Sequence, residues 1–187
     1  MDTQSLFSLE GRTALVTGGS RGIGKMIASG FIGQGAKVYI SSRKAEVCKT
    51  VAEELGHNCI AMPQDISTVE GCKALAATMA EHEDSIDVLV NNAGAAWGES
   101  FESHPEGGWD KVMNTNVKGV FFLTQQLLPF LEKGTSGDDP GYVINIGSVD
   151  GIKTPVFDNF SYGPSKAAVH HLTRVLAAHL VKRNIIV

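Results

Sequence analysis

The feature that most constrains the fold is a repeated pattern, a short and continuously apolar run followed by a longer segment of helical period. Runs of this kind predict strands over 13–17, 37–41, 59–62, 86–90 and 142–146, with 185–187 beginning a sixth. Between them the spacing predicts helices over 22–32, 44–55, 68–82, 109–116, 117–133 and 161–183, the second of them stopped by Gly56. Strands apolar on both sides need cover on both faces, which helical crossovers supply in a parallel sheet. The expected fold class is therefore α/β, a Rossmann-like doubly wound parallel sheet in three layers.

Size and composition fit one domain spanning 1–187. A chain of 187 residues can bury a substantial core, and 43% hydrophobic against 19% charged residues is a globular balance. A net charge of −4 leaves no basic excess to neutralise a phosphate backbone, which argues against nucleic-acid binding. The most apolar stretch, 120–131, is too short to span a bilayer and is interrupted by Gln125, Gln126 and Pro129, so no membrane association is expected. Cys48, Cys59 and Cys72 form no CxxC pair and the six histidines show no metal spacing. Reduced thiols suit a cytoplasmic location. No polar tail or turn follows Val187, and a half-formed edge strand leaves backbone groups unpaired. The expectation is that the sequence lacks its C-terminal part, the alternative being a chain that ends in an edge strand.

Chemistry gathers at the strand ends, where ligands bind in such sheets. Thr17-Gly18-Gly19-Ser20-Arg21-Gly22-Ile23-Gly24 follows the first strand and opens the first helix. Glycines there permit a tight turn and close approach of backbone to a pyrophosphate, which the helix N-terminus attracts. The second strand ends in Ser41-Ser42-Arg43-Lys44, with no acid before Glu46. An acid at that tip would hold ribose hydroxyls and repel a 2′-phosphate, whereas Arg43, helped by Arg21, would pair with one. The expected cofactor is NADP(H). Asp65 follows the third strand and serves either the adenine amino group or the cap of the next helix. Asn91-Asn92-Ala93-Gly94 follows the fourth, its small residues admitting a flat ligand and its amides bracing neighbouring strands.

Tyr162-Gly163-Pro164-Ser165-Lys166 sets a phenol and an ammonium four residues apart on one helical face. Pro164 is tolerable only in a first turn, which places the helix start near Ser161. An ammonium beside a phenol stabilises the phenolate, so the pair could move a proton to or from a carbonyl or alcohol oxygen. Ser148, just past the fifth strand, could donate a hydrogen bond to that oxygen. A hydrolase reading fails because Gly-x-Ser-x-Gly is absent. His170, His171 and His179 on the last helix read as packing or exposed residues. Trp97, Asp150, Ile152 and Phe157 follow strand ends and could line a pocket or pack loops.

With the glycine turn, Asp65, Asn91 to Gly94, Asn116, Ser148, and Tyr162 to Lys166 in this order, the chain resembles the short-chain dehydrogenase/reductase family, in its compact single-domain branch. Asn145-Ile146-Gly147-Ser148 and the Gly-Pro after Tyr162 further resemble 3-oxoacyl (β-ketoacyl) reductases of the rhamnolipid-pathway type. The resemblance implies an NADP(H) site formed by Gly18, Ser20, Arg21, Gly22, Ile23, Gly24, Ser42, Arg43, Asp65, Ile66, Asn92, Ala93 and Gly94, with Tyr162 and Lys166. It implies a catalytic tetrad in which Tyr162 is the general acid/base, Ser148 orients the substrate oxygen, Lys166 assists the tyrosine and bonds the nicotinamide ribose, and Asn116 positions a water beside the lysine. It also implies a small carbonyl or alcohol substrate, a homo-oligomer (tetramer or dimer), and a lid beyond the sixth strand. Two alternatives stay open, a secondary-alcohol, sterol or sugar dehydrogenase and a non-catalytic dinucleotide-binding protein.

Overall fold

A computed structural model describes residues 6–154 and 156–187. Six parallel strands form one sheet: β1 (Thr13–Thr17), β2 (Lys37–Ser41), β3 (Cys59–Ala61), β4 (Val88–Asn91), β5 (Gly141–Asn145) and β6 (Ile185–Ile186), in the order β3-β2-β1-β4-β5-β6. The order reverses between β1 and β4, which opens a crevice at their carboxyl ends. The helices are α1 (Gly22–Gly33), α2 (Ala45–Leu55), α3 (Val69–Ala80), α4 (Glu106–Met113), α5 (Gly119–Gly134) and α6 (Tyr162–Leu180).

Successive strand residues point to opposite faces, so each strand feeds two cores. Leu15, Tyr39, Leu89 and Val143 pack with Leu75 and Met79 of α3, Leu123, Leu127 and Leu131 of α5, and Leu180 of α6. Ala14, Val16, Val38, Ile40, Val88 and Val90 pack on the other face with Ala28 of α1 and Cys48, Val51 and Ala52 of α2. This second helical layer lies over β2, β1 and β4. Tyr142 and Ile144 of β5 and Ile186 of β6 are 37%, 41% and 52% exposed on that face, so β5 alternates buried and exposed residues. All three cysteines are free and buried, and burial pushes the Cys59 and Cys72 thiols up to about 11.

The two helices expected over 109–116 and 117–133 are one continuous path. Pro105 sets an earlier start for α4, and a π-helical turn, Asn114–Lys118, joins it to α5. Pro129 lies inside α5, where its solvent-exposed side accommodates the missing N–H. α6 begins after Ser161, with Pro164 in its first turn. Its last turn, Val181–Arg183, tightens to a 3-10 turn and ends at Asn184 in the left-handed region (φ 56°), a conformation asparagine tolerates. No helix among the described residues is long and apolar enough to cross a membrane.

Candidate active site

The carboxyl ends of β1, β2, β4 and β5 open onto one cleft of about 920 Å³. Its floor is the glycine turn. Gly18 and Gly22 have positive φ (65° and 52°). A Cβ on Gly24 would stand 2.4 Å from both the Gly18 oxygen and the Asn92 amide nitrogen, so only glycine lets α1 start this close to the β4 loop. Arg21, the residue before α1, makes no side-chain capping bond, which leaves the first N–H groups of the helix for an anion. Thr17 straps the turn to the β4 loop. Its hydroxyl donates to the Val90 carbonyl (3.2 Å) and accepts from the Asn92 and Ala93 backbone N–H groups (both 3.0 Å). The Asn92 amide returns a bond to the Thr17 carbonyl (2.9 Å), and Asn91 bonds Asn145 of β5 and Thr124 of α5. These amides brace neighbouring strands as the sequence leads one to expect.

The β2 tip supplies donors. Ser41 and Ser42 carry buried hydroxyl oxygens without a protein partner, and both line the cleft beside Arg43 and Lys44. Asp65 is the one acid among the described lining residues. It does not cap α3. Its Oδ1 accepts the Ser67 N–H (3.0 Å), while Thr68 caps the helix by accepting the Gly71 N–H (3.0 Å). Unspent hydroxyls, an exposed guanidinium and an uncapped helix start make a donor-rich wall. That donor set fits the phosphates of a dinucleotide, including one at the 2′ position.

Ser148, Tyr162 and Lys166 line the same cleft as the glycine turn. Ser148 precedes a short 3-10 turn, Val149–Gly151, and its Oγ accepts the Asp150 N–H at 3.2 Å. Lys166 is almost wholly buried. Its Nζ donates to the Ile146 carbonyl (2.7 Å) and lies 5.7 Å from the Tyr162 ring centroid. Burial holds its ammonium below the ordinary lysine range, because desolvation disfavours the charged form.

Asn116 is the expected site residue that does not line the cleft. The π turn aims it inward, where Oδ1 accepts the Ala95 N–H (2.8 Å) and Nδ2 donates to the Ala95 carbonyl and the Ser165 hydroxyl (both 2.9 Å). Ser165 in turn donates to the Tyr162 carbonyl (2.7 Å). The Asn116 side chain is thus committed to protein partners, tying the β4 loop to the start of α6. Every other expected residue lines the cleft: Gly18, Ser20, Arg21, Gly22, Ile23, Gly24, Ser42, Arg43, Asp65, Ile66, Asn92, Ala93, Gly94, Ser148, Tyr162 and Lys166. Sequence reasoning passed over Thr17, Ser41, Ser165 and the Ile146 carbonyl. The first three carry hydroxyls within or beside the recognised motifs, a usable signal, but a backbone carbonyl carries none.

Trp97 does not line the cleft. It packs under Gly108, where a Cβ would stand 2.8 Å from its ring, with the Lys111 ammonium 5.0 Å from the ring centroid. Ile152 and Phe157 are strongly exposed (79% and 74%) beyond Ser148.

A family model described as short chain dehydrogenase matches residues 12–187. Over 181 residues the chain is 51% identical to the rhamnolipids biosynthesis 3-oxoacyl-[acyl-carrier-protein] reductase of Pseudomonas aeruginosa, covering 96% of this chain and 71% of that protein. Among solved structures, the Pseudomonas aeruginosa RhlG/NADP active-site complex superposes with a TM-score of 0.93 at 51% identity, covering 96% of this chain and 71% of that one. A 3-ketoacyl-(acyl-carrier-protein) reductase from Brucella melitensis, complexed with NADH, superposes with a TM-score of 0.87 at 31% identity, covering 95% of this chain and 73% of that one.

Proposed function

The chain belongs to the short-chain dehydrogenase family, and from that premise we propose that it is an NADPH-dependent reductase of a ketone carbonyl, with 3-oxoacyl thioesters as substrates. One observation carries the reading: Ser148, Tyr162 and Lys166 share a single cleft with the glycine turn and Arg43. The 51% identity to a 3-oxoacyl reductase and the likeness to its NADP complex support the substrate and the cofactor.

NADPH supplies the hydride when bound. Gly18, Ser20, Gly22, Ile23 and Gly24 would face its pyrophosphate, Ser42, Arg43 and Arg21 its 2′-phosphate, and Asp65 and Ile66 its adenine. Asn92, Ala93 and Gly94 would flank the nicotinamide ribose. Ser148 Oγ donates a hydrogen bond to the substrate carbonyl oxygen, which polarises the carbon and orients the carbonyl. Tyr162 Oη then gives its proton to the same oxygen. With the hydride that a bound NADPH would supply to carbon, that proton on oxygen would complete a secondary alcohol, the cofactor being left as NADP+. Lys166 would hold the ribose of the bound cofactor, and it sets positive charge beside the phenol. Asn116 acts through Ser165 and Ala95, keeping Tyr162 and the β4 loop in register.

Tyr162→Phe is expected to lower turnover of a 3-oxoacyl thioester by at least about 10²-fold while NADPH affinity, read by fluorescence titration, stays near the parent value. Turnover close to the parent's overturns the mechanism. Exposed apolar residues on α4, α5 and α6 (Trp109, Phe121, Val175) support a homo-oligomer built on these helices, which light scattering of the purified chain checks. Three buried, unpaired thiols support a reducing, cytoplasmic setting.

A further inference from the structure

The turn carrying Ser148 is held against α6 by a side chain that the site described above does not use. His170 stands one helical turn beyond Lys166. Its Nε2 lies 3.4 Å from the Ser148 backbone nitrogen, placed to accept that N–H. The imidazole occupies a slot cut by two glycines. A Cβ on Gly147 would stand 2.3 Å from Nε2 and 2.8 Å from Cδ2, and one on Gly151 would stand 2.9 Å from Cε1. The Gly151 Cβ would also meet the backbone of Lys166 and Ala167 at 2.7 Å, so the turn rests directly on the helix at the lysine. A methyl group at either glycine forces the ring or the turn away. Acceptance at Nε2 requires a neutral imidazole with its proton on Nδ1.

We infer that His170 is a positioning residue. By taking the Ser148 N–H within the Gly147–Gly151 slot, it sets where the Ser148 hydroxyl stands relative to Tyr162. The inference rests on Ser148 being the donor to the substrate oxygen. Because Ser148 Oγ is anchored inside the same turn, on the Asp150 N–H, a displaced turn carries the hydroxyl with it. Two variants separate positioning from bulk: His170→Leu fills the slot without an acceptor, and His170→Gln returns an acceptor at similar reach.

The test follows amide hydrogen exchange at Ser148 by NMR in the ¹⁵N-labelled chain, with NADPH affinity, kcat and KM measured on the same samples. In His170→Leu, Ser148 exchange is expected to rise about 10-fold, the scale of one lost hydrogen bond. The kcat for a 3-oxoacyl thioester is expected to fall about 10- to 100-fold, with NADPH affinity unchanged and KM moved by less than about twofold. His170→Gln is expected to recover most of both losses. Ser148 exchange unchanged in His170→Leu, or a glutamine variant no better than leucine, overturns the inference. The exchange measurement needs no turnover, so a parent chain that reduces no carbonyl would defeat the proposed function and still leave His170 judged. Should His170→Leu not fold, Gly147→Ala must push the ring from Ser148 and reproduce the faster exchange, and parent-like exchange there overturns the inference equally.

Discussion

Arg43 shows how much one missing charge decides. The β2 tip has no carboxylate, and Ser41 and Ser42 keep unpartnered hydroxyls beside the guanidinium. An exposed arginine gains little from a surface ion pair but more from a fixed phosphate dianion, where the bonds are charge-assisted. Arg43→Ala is accordingly expected to weaken NADPH about 10- to 100-fold and NADH by less than about twofold, read by paired fluorescence titrations. Equal losses for the two cofactors would remove Arg43 from the 2′-phosphate. Arg43 was legible in the sequence because its evidence is the identity of the side chains at a strand tip. The side-chain partners of Asn116 were not, since Ala95 and Ser165 are brought to it only by the fold around the π turn.

At the scale of elements, the site depends on how closely α1 approaches the β4 loop. Gly24 is the closest point, and its ordinary φ means that crowding, not backbone freedom, excludes a side chain. Gly24→Ala is expected to lower stability by about 1–3 kcal/mol, an overpacking cost, and to weaken NADPH by displacing Asn92 and the turn together. Thermal melting and NADPH titration check it, and a parent-like Tm with parent-like affinity would sink the packing argument. Strand and helix periods made most elements readable within a few residues. The misreadings have local causes. Pro105 starts α4 before the apolar pattern does. The π turn conceals the junction at 116–117. β5 reads as apolar throughout, yet only one of its faces is covered.

Across the whole molecule, the amino ends of the strands are clamped far from the cleft. Arg12 donates to Asp87 (2.9 Å) and to Asp139 (2.6 Å), while Asp87 also accepts the Thr13 N–H (2.7 Å). One guanidinium therefore ties β1 to the approach of β4 and to the loop before β5. Its hydrogen bond holds the Asp139 carboxyl below the ordinary 3.8. A carboxyl lowered on folding binds fewer protons in the native state than in the unfolded one. It therefore contributes stability above its unfolded value and loses it as pH falls through the folded value. In Arg12→Met the Tm deficit relative to the parent is expected to be full at about pH 6 and to shrink as pH falls below the ordinary 3.8. A deficit constant across that range would show that the clamp does not act through Asp139.

The sequence by itself determined the alternation of strands and helices, the glycine turn, most residues that line the cleft and the spacing of Tyr162 to Lys166. Each of these is written in side-chain identity over a few adjacent residues, where periodicity and sterics act locally. Tertiary structure alone decided the strand order β3-β2-β1-β4-β5-β6, the bare face of β5 and β6, the Ile146 carbonyl under Lys166 and the His170 ring under Ser148. Those depend on backbone groups and on residues tens of positions apart. Such groups acquire their partners only when the sheet closes and the helices settle onto it.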